Sequence, residues 1–221
     1  MKPSLYSVFF LLVSDLATAF CFFPFLLLLW KKLGQQKAYL IISIYWLANG
    51  IINLPNWFGE AKNFQFQSQL SLIYNLIDTP LVLLVFYFSS LGQKKKLTLY
   101  FLLSFILFEL VTIGLNGYND SSNMIIIGTG TVLALAYSVV GITQYFKKME
   151  HDSFENAMGF VYASFLFSYG IFSIIYGFSY IKVKGAAKLD IFFLYYSSVI
   201  LSTLLTSFGL WRYAKPTLKN A

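Results

Sequence analysis

The sequence predicts an all-α protein: a polytopic bundle of seven transmembrane helices, one membrane domain spanning residues 1–221. Three observations predict it. Seven apolar runs reach the roughly 20 residues that a helix needs to cross a bilayer. Every Lys and the single Arg falls outside those runs. Trp30, Trp57 and Trp211 stand at run ends, where interfacial anchors belong. With 58% hydrophobic residues and a mean hydropathy of +0.68, little of the chain is left for a soluble domain.

In chain order the spans are Ser7–Trp30, Ala38–Trp57, Leu70–Leu91, Leu97–Leu115, Met124–Phe146, Asn156–Ile181 and Leu189–Trp211. The first imitates a cleaved signal peptide through Lys2 and Ala17-Thr18-Ala19. Asp15 interrupts its core, however, and the chain stays apolar from Phe20 through Trp30, so it reads as a retained span. Within the second, Trp46 lies in the interior; its indole N–H needs a partner and so a bundle-facing position. The longest connections, Gly59–Gln69 and Lys147–Glu155, fall far short of the roughly 50 residues of an independent domain. They hold no catalytic or DNA-binding module.

A net charge of +7 would suggest nucleic acid in a soluble protein, but here the basic residues act as topology signals. One side carries Lys31, Lys32, Lys37, Lys94, Lys95, Lys96, Lys147, Lys148, Arg212, Lys215 and Lys219. The other carries Lys2, Lys62, Lys182, Lys184 and Lys188, a bias of 11 to 5. The positive-inside rule then puts the N-terminus outside and the C-terminus in the cytoplasm of a multi-pass protein of the inner (plasma) membrane. The lysines of the sixth loop dissent. Cys21 and His151 are each the only residue of their type, which excludes an intrachain disulfide and argues against a His- or Cys-built zinc site. No cofactor is expected.

Three acids break the apolar runs: Asp15, Asp78 and Glu109. An acid near the bilayer centre costs about 2.5–3.5 kcal/mol on insertion scales, so it is usually retained for function. At 1.5 Å per residue, Asp15 and Asp78 lie roughly 12 Å from the outer edge, and Glu109 roughly 9 Å. Polar stripes at helical spacing accompany them: Tyr45, Asn49, Asn53 and Asn56 in the second span; Ser71, Asn75 and Asp78 in the third; Glu109, Thr112 and Asn116 in the fourth. The sixth carries Tyr169, Ser173, Tyr176 and Tyr180, and the seventh Tyr195, Ser198, Ser202 and Thr206. Such faces turn away from lipid. Packed together they predict a polar chamber in the outer half of the membrane, with Asp15, Asn49, Asn53, Asn75, Asp78, Glu109, Tyr169, Tyr176 and Tyr195 as candidate ligand-binding residues. The bland reading of the hydroxyls and amides is interhelical glue, worth well under 2 kcal/mol each. Pro24, Pro55 and Pro80 should kink their helices, the last two beside Asn53 and Asp78.

Microbial rhodopsins are excluded, because the seventh span lacks a lysine for retinal. G-protein-coupled receptors share the topology but not their D-R-Y-like and N-P-x-x-Y signatures. The 3+1+3 repeat of sugar transporters is not visible, since acids and prolines cluster in the first four spans. Ile73-Tyr-Asn-Leu-Ile-Asp-Thr-Pro-Leu81 with Val85-Phe-Tyr-Phe88, Asn156-Ala-Met-Gly-Phe160, and Phe192-Phe-Leu-Tyr-Tyr-Ser-Ser198 through Gly209-Leu-Trp211 carry a likeness. By these the chain resembles a group of small, uncharacterised seven-helix membrane proteins of Bacteroidetes-type bacteria. The resemblance implies the fold and an acid at Asp78, and no activity.

Three functions compete. A sensory or binding protein would take a small cationic or amphiphilic ligand and act through a membrane or cytoplasmic partner protein, its basic face suited to an acidic surface. A transporter would use Asp15 and Asp78 for proton or cation coupling. An intramembrane lipid-modifying enzyme would need paired acids as general acid and base; without a nucleophile motif it ranks last. The sequence favours a non-enzymatic protein in contact with the bilayer and with no nucleic-acid partner.

Overall fold

The computed structural model describes residues 5–54, 64–90, 92–181 and 188–215. Among them there is no strand. The elements are α1 (Leu5–Cys21), α2 (Phe23–Trp30), α3 (Lys37–Asn53), α4 (Phe64–Ser89), α5 (Gly92–Asn116), α6 (Asp120–Lys147), α7 (Ser153–Ile181) and α8 (Lys188–Arg212), with a 3₁₀ turn at Leu33–Gln35. Six helical segments, with α1 and α2 together forming one of them, are long and apolar enough to cross a membrane. The second predicted span corresponds to α3, whose 17 residues end at Asn53. Pro55, Asn56 and Trp57 lie outside the described residues, as do Lys2, Lys62, Lys182, Lys184 and Lys219.

The polarity of the bundle is reversed from that of a water-soluble protein. Leu11, Leu12, Leu107, Leu110, Val132 and Leu201 are exposed, whereas Ser43, Ser138, Ser164, Ser202, Thr203 and Thr206 are fully buried. An apolar surface this extensive needs an apolar solvent. The protein is a helical membrane bundle.

Proline chemistry divides the first span. Pro24 has no N–H and its ring crowds the carbonyl four residues back. The helix therefore breaks at Phe22, where the Phe22 N–H donates to Ala19 O at 3.2 Å, a tighter i−3 bond. The Ser43 hydroxyl donates to Pro24 O at 3.3 Å, and a Cβ at Gly50 would lie 3.0 Å from Cys21 Cβ, so α3 packs against the break. Pro80, by contrast, sits inside a continuous α4.

The spans form a ring in which α3 joins α1 and α2 to α4, and α6, α7 and α8 close it back onto α1 and α2. Outside this ring, α5 packs on α4 and α6. The seam is tight: a Cβ at Gly130 of α6 would overlap Thr79 Oγ1 of α4 and lie 3.1 Å from the Phe105 ring of α5. Trp46, 0% exposed, donates its indole N–H to Thr206 Oγ1 at 3.1 Å, and that hydroxyl donates to Ser164 Oγ at 2.8 Å. Three helices, α3, α8 and α7, are thereby tied at mid-height, and the partner the indole requires is found.

At one end of the bundle the basic residues gather. Lys37 Nζ lies 5.3 Å from the Phe88 ring centre, and Lys95 Nζ 4.8 Å from that of Tyr87. Lys31 caps α8, donating to Leu210 O at 3.1 Å, Trp211 O at 2.7 Å and Ala214 O at 2.8 Å. These carbonyls have no partner within the helix, so a cation there satisfies both hydrogen bonding and the helix dipole. Partial burial holds the Lys31 ammonium below the usual lysine range. Trp30 and Trp211 pack together at the same end, with ring centres 5.2 Å apart.

Candidate functional site: a tyrosine-walled cavity around Asp78

A cavity of about 310 Å³ lies inside the ring, in the half away from the basic end. Its polar wall comes from α3 and α4, through Asn49, Asn53, Ser71, Tyr74, Asn75 and Asp78. Opposite stand Ile127 of α6, Phe172 and Ile175 of α7, and Ile191 and Val199 of α8. Tyr45, Tyr169 and Tyr195 also line it. Its lining reaches farthest from the basic end, at the mouth, with Asn53 of α3, Ser71 of α4 and Ile191 of α8.

Beneath it the bundle is sealed. Phe165 packs edge-on to Tyr45 at 5.3 Å between ring centres, and Phe86 stacks on Tyr162 at 5.0 Å. Val82, Val85 and Val161 fill the same layer and are fully buried.

Hydrogen bonds run from mouth to floor. Asn53 Nδ2 donates to Asn49 O at 2.8 Å and to Asn49 Oδ1 at 3.1 Å; Asn49 Nδ2 in turn donates to the Tyr74 hydroxyl at 3.0 Å. Lower down, the Tyr169 hydroxyl donates to Asp78 Oδ2 at 2.7 Å. A phenol has one proton. Tyr169 has given its own to Asp78, so in its 3.2 Å contact with Tyr45 the Tyr45 hydroxyl is the donor. The Tyr45 and Tyr74 hydroxyls also face the Asp78 carboxyl. Asp78 is the one charged side chain among the described residues lining the cavity. The ion pairs found among the described residues, Lys148–Glu155 and His151–Glu155, lie at the α6–α7 connection.

Of the nine candidate residues, the structure brings together Asn49, Asn53, Asn75, Asp78, Tyr169 and Tyr195. The remaining three lie elsewhere. Asp15 is exposed on the outer face of α1 beside Leu11, Leu12 and Leu16. The inward face of α1 is set by Val13, Ser14, Ala17, Thr18 and Cys21, which recur at helical spacing and are buried; Asp15 follows Ser14 by about 100° of helix rotation and so turns outward. Tyr176 leans across α6 instead, donating to Met124 O at 3.0 Å. It has room because Gly128 lacks a side chain; a Cβ there would lie 2.5 Å from the Tyr176 hydroxyl.

Glu109 belongs to α5, the helix outside the ring, and lines no part of this cavity. It is 5% exposed, and its Oε1 has no hydrogen-bond partner among the described residues. An unsatisfied buried oxygen carries a desolvation cost of about 1–3 kcal/mol. Glu109→Met, similar in shape and apolar, is therefore expected to stabilise the bundle by about 1–2 kcal/mol. Reversible unfolding in mixed micelles measures this, and a destabilised variant would show that Oε1 has a partner in the membrane.

Tyr45, present in the polar stripe of the second span, and Tyr74 are functional candidates that the choice of nine left out. Tyr74 had a signal: it precedes Asp78 by four residues and so shares its face. Ser168, Phe172 and Val199 had none, because nothing in a single helix separates a cavity wall from a packed contact. No family model matches the chain, and no curated protein or solved structure matches it either.

Proposed function

We propose that the protein is a seven-span receptor-like binding protein of the inner (plasma) membrane, with its N-terminus outside, which takes a small molecule into the Asp78 cavity and acts through a partner protein. One observation carries the reading: a lined cavity with a buried acid lies in the half away from the basic end, with aromatic packing beneath it. Lys31, Lys37 and Lys95 gather at the opposite end, which by the positive-inside rule is cytoplasmic. The cavity then faces outward. Completing the count to seven requires α3 to cross, and its position in the ring between α1 and α4 supports that.

The seal favours binding over transport, because passage would require Phe165, Phe86 and Tyr162 to separate. Signalling would run through the basic cytoplasmic face, which suits an acidic partner or anionic headgroups. The test uses the full chain in lipid nanodiscs and in proteoliposomes. Thermal stabilisation by members of a panel of small amines, alcohols and acids, with no flux of the stabilising compounds, is the expected result. Flux of a stabilising compound would make the protein a transporter.

A further inference from the structure

We infer that the cavity selects a small organic ammonium with an apolar body, its charged head at Asp78 and its body against the α6–α8 wall. The inference rests on the binding reading above and names the ligand class of that site. Its basis is charge, wall chemistry and size taken together.

Charge comes first. Asp78 has no Lys, Arg or His beside it among the described cavity residues, yet Tyr169 donates to it at 2.7 Å and the Tyr74 hydroxyl faces it. Hydroxyl donors converging on a carboxyl suit its ionised form, which accepts on both oxygens. With no protein cation to pair with, an ionised Asp78 would leave the cavity one negative charge for an entering cation to balance.

The walls then separate organic from inorganic cations. Divalent metal ions such as calcium collect six or more oxygen ligands, several of them carboxylates. Here one carboxylate is available, and the wall opposite it carries Ile127, Phe172, Ile175, Ile191 and Val199. A bare ion would leave that wall wet. Aromatic rings attract ammonium groups through their negative faces, and cages of such rings bind organic ammonium ligands. Tyr45, Tyr74, Tyr169, Tyr195 and Phe172 supply the rings.

Size sets the limit. About 310 Å³ lies at the small end of the roughly 300–1,000 Å³ typical of ligand pockets, which fits an arylalkylamine and not a two-chain lipid. The amide groups of Asn49, Asn53 and Asn75 stand nearer the mouth, where a second polar group on the ligand would lie.

The experiment needs no known ligand. In a Cys21→Ala background, Asn75→Cys puts a thiol on the cavity wall of the full chain in nanodiscs. It is reacted with a trimethylammonium and a sulfonate methanethiosulfonate of similar size, each rate divided by that with a free thiol. The cationic reagent should react at least about tenfold faster, and Asp78→Asn should abolish the preference. Phenethylammonium should protect the thiol at concentrations at least about tenfold lower than 2-phenylethanol, which has the same body without the charge. Equal corrected rates, or equal protection by the two compounds, overturn the ammonium inference and leave a binding cavity standing. Failure of both reagents to reach the thiol overturns the cavity reading as well. Should Asp78→Asn not fold, the two protectants compared on protein carrying Asp78 decide the matter alone.

Discussion

Trp46→Ala is expected to destabilise the bundle by about 3–5 kcal/mol, the range for removing a large aromatic side chain from a packed interior. Trp46 is 0% exposed and packs edge-on to Tyr45 with ring centres 5.0 Å apart. Its indole donates to Thr206, which is bound onward to Ser164, so the substitution leaves a void where α3, α8 and α7 meet. Trp46→Phe separates the two contributions. It keeps most of the volume and loses one buried donor, so about 1 kcal/mol should be lost. Unfolding in mixed micelles measures both variants. If Trp46→Ala cost as little as Trp46→Phe, the indole would not be packed between helices and the tie at mid-height would be wrong. The effect should reach the site too, because Tyr45, held against Trp46, is the donor to Tyr169 and faces Asp78.

The helical bundle was legible because hydrophobic runs and cation exclusion are one-dimensional signals, and a helix obliges each span to satisfy its own backbone. Pro24 marked the break between α1 and α2 for the same local reason. Pro80 left no break in α4, so a proline by itself does not decide between a break and a continuous helix. Asp78 with Asn75, and Asn49 with Asn53, form stripes in the sequence and share one cavity, since spacing within a helix fixes which side chains share a face.

What spacing does not fix is where that face points. Depth and charge make Asp15 a pocket candidate, but the small residues Ser14, Ala17, Thr18 and Cys21 decide which side of α1 packs inward, and they carry Asp15 outward. Glu109 shares the outer half with Asp78, which points to the same chamber. Depth says nothing of position around the ring, and α5 lies outside it. Tyr176 repeats the lesson on another helix: it is seven residues from Tyr169, close to the same face, yet a glycine on α6 draws it across to Met124. Each of these outcomes depends on how a helix packs against its neighbours, which the spacing of polar residues within one span does not contain.

A double-mutant cycle on Tyr169 and Asp78 should give a coupling of about 1.5–3 kcal/mol, the range for a hydrogen bond to a charged group. Tyr169→Phe removes only the hydroxyl, and Asp78→Leu removes the acceptor without adding another polar group. The pair spans α7 and α4, on opposite sides of the cavity, so their 2.7 Å bond helps to set its width. The size of the coupling also discriminates between two states of the acid. A neutral carboxylic acid bonded to a phenol would yield about 0.5–1.5 kcal/mol, as neutral pairs do. A value in the upper range therefore supports an ionised Asp78, which an ammonium ligand requires. A value in the lower range would favour a protonated acid and a neutral guest. Near-zero coupling would mean that hydroxyl and carboxyl are not bonded in the membrane, removing the floor on which the site is built. Tyr45→Phe gives the control: its hydroxyl donates to Tyr169, so its coupling to Asp78 should be smaller than that of Tyr169.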